Sequence, residues 1–180
     1  MSKIGKKSIF IPENVFYKLY DDYISFKGPK GENKLFFYNR VNVSINNNII
    51  EVNCNNTIDN FKAYHGLYRS LINKTLISVV TGFEKKLKVI GIGYKVFLVN
   101  NVLELFLGYS HSVKFIIPND IMVKIESKGN VIILESLNYE LLGNISAKIR
   151  NLKPPEPYNG KGIFYFDEKI KIKEGKSKKS

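Results

Sequence analysis

Ile24-Ser25-Phe26-Lys27-Gly28-Pro29-Lys30-Gly31, followed by Lys34-Leu35-Phe36-Phe37, reads as a strand, a Gly-Pro turn and a returning strand. Eighty residues on, Leu103-Glu104-Leu105-Phe106-Leu107 runs into Gly108 and Lys114-Phe115-Ile116-Ile117 leads out. The match continues in register. Val41, Val43 and Ile45 alternate with Asn42 and Ser44, as Ile121, Val123 and Ile125 alternate with Met122 and Lys124, the period of half-buried strands. Asn46-Asn47-Asn48 turns the first of these and Lys128-Gly129-Asn130 the second, and an apolar strand returns from each.

In both halves the period then lengthens to a helix. Phe61, Tyr64, Tyr68, Leu71, Ile72, Leu76 and Val79 recur at three- and four-residue steps, with Thr57 or Asp59 as N-cap and Gly82 as C-terminal cap. Leu141, Leu142, Ile145, Ile149 and Leu152 share one face of a shorter second helix. The fold expected is α+β, two tandem duplicated domains, each an antiparallel sheet packed against one helix. Residues 1–81 form the first repeat and 82–180 the second. Segments 83–89 and 94–99 are expected to pair around Gly91-Ile92-Gly93, and 163–166 to add an edge strand. Lys169, Lys171 and Lys173, alternating with Ile170 and Ile172, suggest a further pairing, and 175–180 reads as a disordered tail.

The 180 residues carry a formal net charge of +12, and +9 of it lies in residues 1–10 and 145–180. Cationic ends on a nearly balanced body point to nucleic acid or an anionic membrane surface. A single cysteine, Cys54, excludes an internal disulfide and, with only His65 and His111, a zinc cluster. No apolar run reaches the ~20 residues of a spanning helix, and Met1-Ser2-Lys3-Ile4-Gly5-Lys6-Lys7 has neither the apolar core of a signal peptide nor the length of a transit peptide. Gly91-Ile92-Gly93 lacks the third glycine of a dinucleotide loop and opens a strand, and Gly175-Lys176-Ser177 lacks the first glycine of a phosphate-binding loop. No Gly-x-Ser-x-Gly occurs. These exclusions argue against an enzyme and against a cofactor, a metal or a small-molecule substrate.

Lys153-Pro154-Pro155-Glu156-Pro157-Tyr158-Asn159-Gly160-Lys161-Gly162-Ile163 is the most distinctive stretch. Three prolines in four residues forbid helix and central strand, and the glycines that follow allow close backbone approach. The stretch reads either as a stiff arm for a phosphate backbone or as a linker with a solvated lysine. Tyr158 either stacks on a base or packs on its own domain. Around it the basic groups collect: Lys148, Arg150, Lys153 and Lys161, then Lys171, Lys173, Lys176, Lys178 and Lys179 in the tail. Lys85, Lys86 and Lys88 follow the domain boundary, and Lys3, Lys6 and Lys7 open the chain. Without an RNP motif, zinc finger or basic heptad region, the binding expected is to shape and phosphate.

Several segments together resemble ribosomal protein six of the large subunit, bacterial type. They are Met1-Ser2-Lys3-Ile4-Gly5-Lys6-Lys7, Phe26-Lys27-Gly28-Pro29-Lys30-Gly31, Gly82-Phe83-Glu84-Lys85-Lys86-Leu87, Gly91-Ile92-Gly93-Tyr94, Leu107-Gly108-Tyr109-Ser110-His111, and the stretch from Pro154 through Ile163. The resemblance runs in order through essentially the whole chain. It implies two domains from an internal duplication and a place in the large ribosomal subunit. It implies a C-terminal domain bound to large-subunit rRNA beside the sarcin–ricin loop, near neighbouring ribosomal proteins and the landing site of translational GTPases. Lys153, Pro154, Tyr158, Gly160, Lys161 and Gly162 match the motif that faces rRNA. The family usually has basic residues where this chain has Asn159 and Phe164. The excess of Asn, Ile, Lys, Phe and Tyr suggests an AT-rich genome, hence ribosomes of a plastid-like organelle or of an AT-rich bacterium. The rival readings are a peripheral membrane-surface protein and a small RNA-modifying enzyme.

Overall fold

The computed structural model describes residues 3–37, 41–54, 61–126, 130–169 and 171–173. The expected caps Thr57 and Asp59, most of the turn at 128–130, Ile170 and the tail 175–180 lie outside the described residues. The chain divides into two compact units, Met1–Gly82 and Phe83–Ser180.

The first unit contains β1 (Ile9–Phe10), β2 (Phe16–Leu19), β3 (Tyr23–Gly28), β4 (Gly31–Phe36), β5 (Val41–Asn46), β6 (Ile49–Cys54) and α1 (Phe61–Val80). They form two antiparallel sheets, the meander β2-β3-β4 and the sheet β1-β6-β5. Asn47 and Asn48, at φ 48° and 61°, make the tight turn between β5 and β6, in the left-handed region asparagine tolerates. Ile24, Phe26, Ile50 and Val52 from the sheets meet Tyr68, Ile72, Leu76 and Val79 of α1 in one apolar core.

The Gly-Pro turn has a second duty. The Lys30 amide donates to the Val79 carbonyl at 3.0 Å, satisfying an orphan acceptor in the last turn of α1. A Cβ on Gly28 would stand 2.6 Å from that same oxygen, so only glycine lets the hairpin close on the helix end.

The second unit contains β7 (Phe83–Ile90), β8 (Lys95–Val99), β9 (Val102–Phe106), β10 (Val113–Ile116), β11 (Met122–Glu126), β12 (Val131–Ser136), α2 (Tyr139–Leu152) and β13 (Gly162–Tyr165). Its sheets repeat the plan: a meander β8-β9-β10, and β11-β12-β7 extended by β13 at the edge. Asn138 caps α2, its side-chain oxygen accepting from the Glu140 and Leu141 amides at 3.0 and 3.1 Å. Leu142, Ile145 and Ile149 bury against Leu87, Ile132 and Leu134, with Leu103 and Leu105 of the meander in the same core. An α+β architecture of antiparallel sheets, with one helix per unit among the described residues, is therefore what the chain adopts.

Two expected pairings are corrected. β7 and β8 do not pair: β7 lies between β12 and β13, and β8 pairs with β9 across the Asn100-Asn101 turn. Gly91-Ile92-Gly93 carries the chain from one sheet to the other. Nor is the segment around Lys171 and Lys173 a strand: Lys173 N–H donates to the Pro157 carbonyl at 2.9 Å, which ties it to the proline stretch instead.

Candidate nucleic-acid interface

Pro154 disfavours helical backbone at Lys153, so α2 ends there, with Lys153 at φ −149° and ψ 84°. The stretch that follows is a closed loop, not an open arm. Gly160 N–H donates to the Glu156 carbonyl at 3.0 Å, Glu156 N–H to Lys161 at 2.8 Å and Ile163 N–H to Lys153 at 2.8 Å. Three rungs and three fixed proline φ angles leave this loop few ways to move. From its base the chain enters β13, where Ile163 pairs with Val89.

Gly162 is required by this closure. Its φ is 140°, and a Cβ would meet the Pro154 carbonyl oxygen at 2.7 Å and Pro155 Cα at 2.9 Å. Its role in the motif is to let two backbone segments touch. Gly160, at φ 63°, lies in the turn itself, with Ile172 close beside it.

The loop is braced from the meander. Tyr109 donates its hydroxyl to the Leu152 carbonyl at 3.0 Å, and Lys153 Nζ lies 4.4 Å from the centre of the same ring. Tyr109 is not among the expected site residues. Its signal is present in Leu107-Gly108-Tyr109-Ser110-His111, but nothing local places that loop against a helix forty residues away.

Lys161, in the same loop, is half-buried. It lines an open groove of about 550 Å³ with Lys88, Asn159, Ile90, Gly91 and Ile92. Lys88 Nζ lies 3.8 Å from the Phe166 ring centre. Tyr158 is 55% exposed, so its ring is presented outward and not packed into its unit. The Lys173–Pro157 hydrogen bond draws the exposed Lys171 and Lys173 alongside. Lys153, Pro154, Tyr158, Gly160, Lys161, Gly162, Lys171 and Lys173 are thus brought together.

Other expected contacts are placed elsewhere. Arg150 forks both oxygens of Glu168, Nε at 3.0 Å and Nη2 at 2.6 Å, so its guanidinium is committed within the protein. Lys86 pairs with Glu84 at 3.1 Å, and Lys85 lies 5.3 and 6.0 Å from the ring centres of Tyr165 and Tyr139. Lys148 is exposed on α2. Lys3, Lys6 and Lys7 are exposed in the first unit, on a segment held by Gly5 against the buried His65 ring and by Arg69 Nε donating to the Lys7 carbonyl at 3.2 Å. Lys176, Lys178 and Lys179 lie outside the described residues. Asn159 donates to the Glu156 carboxylate at 3.3 Å, and Phe164, only 6% exposed, is part of the sheet's packing.

Among the described residues no three His, Cys, Asp or Glu side chains converge as a metal site, and no described helix is long and apolar enough to cross a membrane. A duplicated α+β protein presenting a rigid, lysine-bearing loop has the build of a nucleic-acid-binding protein. Residues 90–166 match the family model for ribosomal protein L6. The chain is 42% identical to large ribosomal subunit protein uL6 of Phocaeicola vulgatus over 185 aligned positions, covering 98% of each chain. It is also 42% identical to that of Karelsulcia muelleri, covering 99% of this chain and 100% of the relative, and to that of Chloroherpeton thalassium, covering 98% of each. The chain belongs to the uL6 family of large-subunit ribosomal proteins.

Proposed function

We propose that this protein is a structural, non-catalytic constituent of the large ribosomal subunit that grips large-subunit rRNA through its second unit. The observation that carries the proposal is the closed Lys153–Ile163 loop, which sets Lys153 and Lys161 on a rigid frame and gathers Lys171 and Lys173 beside it. A backbone held in one conformation loses little entropy on binding, and lysine point charges suffice for phosphates. Tyr158 is free to stack on a base or ribose. In this reading Lys148 and the tail lysines Lys176, Lys178 and Lys179 add electrostatic attraction, while Lys85, Lys86 and Arg150 shape the frame. The contact lies near the sarcin–ricin loop and the translation-factor site, beside other large-subunit proteins. The Asn-, Ile- and Lys-rich composition suits the ribosomes of a plastid-like organelle or of an AT-rich bacterium, and the bacterial relatives support the second.

The test is binding of the full chain to transcribed large-subunit rRNA across a salt series. Neutralising about six phosphates predicts a log–log slope near −5, from ~0.9 per phosphate on the duplex scale. A slope near zero would remove the phosphate mechanism.

A further inference from the structure

The first unit carries an exposed face that the loop of the second unit does not explain. In the meander β2-β3-β4, Asn33 points inward and donates to Ser78 of α1 at 2.9 Å, with Ile24 and Phe26 on that same face in the core. Strand alternation therefore puts half-buried Tyr23, buried Ser25 and exposed Lys27 on the opposite face, together with Phe16, Lys18 and Tyr20 of β2 and its turn, and Glu32, Lys34 and Phe36 of β4. The registers sort them into rows. Tyr20, Tyr23 and Phe36 lie side by side, their rings 4.5 Å apart and stacked, then 5.5 Å apart. The next row is Lys18, Ser25 and Lys34, and the third is Phe16, Lys27 and Glu32.

Such a face is costly to leave open. Phe16 is 75%, Phe36 66% and Tyr20 47% exposed, on a single sheet. Its charge pattern selects the occupant. Lys18, Lys27 and Lys34 lie against one acid, Glu32, which is itself held by Ser25 at 2.9 Å and Lys34 at 3.7 Å. Asp21 and Asp22 stand in the turn at the aromatic end. One pleat repeat, roughly 7 Å, separates the aromatic row from the lysine row, close to the reach from a base to its own phosphate. Aromatic rings for the base and ammonium groups for the backbone make a single-strand platform.

We infer that the β2-β3-β4 face of the first unit binds an unpaired RNA nucleotide, its base capping an open end of the Tyr20-Tyr23-Phe36 stack and its phosphates on Lys18 and Lys34. This rests on the reading of the protein as an rRNA-binding constituent, and adds a site to it. The probe is a single-stranded twelve-uridine RNA carrying 4-thiouridine, offered to the full chain. We expect photocrosslinks within residues 16–36, weaker binding of a duplex of equal length, and a loss of about tenfold or more in affinity for Tyr20→Ala or Phe36→Ala with unchanged melting. Lys34→Glu should weaken binding as well. The inference is overturned if the oligonucleotide fails to bind, or if the platform variants bind it as the unaltered chain does. It is equally overturned if those variants leave RNA binding intact but release the protein from large subunits, because a protein then covers the face. Lys161→Glu with transcribed rRNA is the separate arm. Its failure to weaken binding would sink the loop reading without touching the platform.

Discussion

Arg150 grips Glu168 through two parallel hydrogen bonds, Nε to Oε2 at 3.0 Å and Nη2 to Oε1 at 2.6 Å, with both side chains about a quarter exposed. The Tyr165 amide donates to the same carboxylate at 3.1 Å, so one acid fastens α2 to the turn that follows β13. Between these two anchors lies the whole Lys153–Ile163 loop. Arg150 resembles a phosphate ligand by its neighbours in sequence and acts as a buttress by its contacts.

The pair makes stability depend on acid. The bidentate Arg150 bond, followed by the backbone bond from Tyr165, holds the Glu168 carboxyl below its ordinary value. A carboxylate depressed in the folded state contributes stability that is complete above its unfolded pKa and is lost as pH falls through the folded value. Glu168→Gln should therefore destabilise by about 1–2 kcal/mol at neutral pH and flatten the acid limb of the melting profile. An unchanged acid limb would exclude this pair as its source.

Two glycines in the second unit should respond in opposite senses. Gly162→Ala forces a side chain onto Pro154 at φ 140° and should cost roughly 2–3 kcal/mol, weakening rRNA binding with it. Gly143 lies inside α2, and a Cβ added there would meet nothing within 4 Å, so Gly143→Ala should gain about 0.5–1 kcal/mol. Chemical denaturation of the two variants decides both.

Lys161→Glu separates binding from folding. Lys161 stands half-buried on the groove wall, and the pairing of its backbone carbonyl with Glu156 does not depend on the side chain. The variant should keep its melting temperature, bind rRNA more weakly, and show a salt slope shallower by about one or more. Equal losses of stability and binding would show that the lysine packs instead of gripping phosphate.

The N-terminal lysines depend on a contact remote from them. Gly5 lies flat on the buried His65 ring, and Arg69 fixes the Lys7 carbonyl. Gly5→Val should lift this segment, costing about 1–3 kcal/mol by overpacking and freeing the backbone at Lys3, Lys6 and Lys7 for faster cleavage by trypsin. Resistance equal to that of the unaltered chain would mean the anchor lies elsewhere.

The α+β plan is legible in the sequence because its signals are local. Val41, Val43 and Ile45 declare period two, Tyr64 through Val79 declare the helix, and Asn47 and Asn48 adopt the φ values that their type permits. What sequence does not supply is partnership across distance. Gly91-Ile92-Gly93 looks like a hairpin turn because β7 and β8 are adjacent in sequence, yet sheet pairing sends them to different partners. Arg150 finds Glu168 eighteen residues on, Tyr109 finds Leu152, and Lys173 finds Pro157. Each of these contacts spans a turn whose direction is set by tertiary packing. The candidate site is legible as composition, in Lys153, Lys161 and their neighbours, but its closure into a three-rung loop is not.

The decisive measurement is sedimentation of native lysate through a sucrose gradient, at moderate and then at high salt, with this chain followed by antibody. A protein that grips rRNA phosphates should travel with large subunits and whole ribosomes at moderate salt and be released only as salt rises. Recovery at the top of the gradient under both conditions would contradict that role.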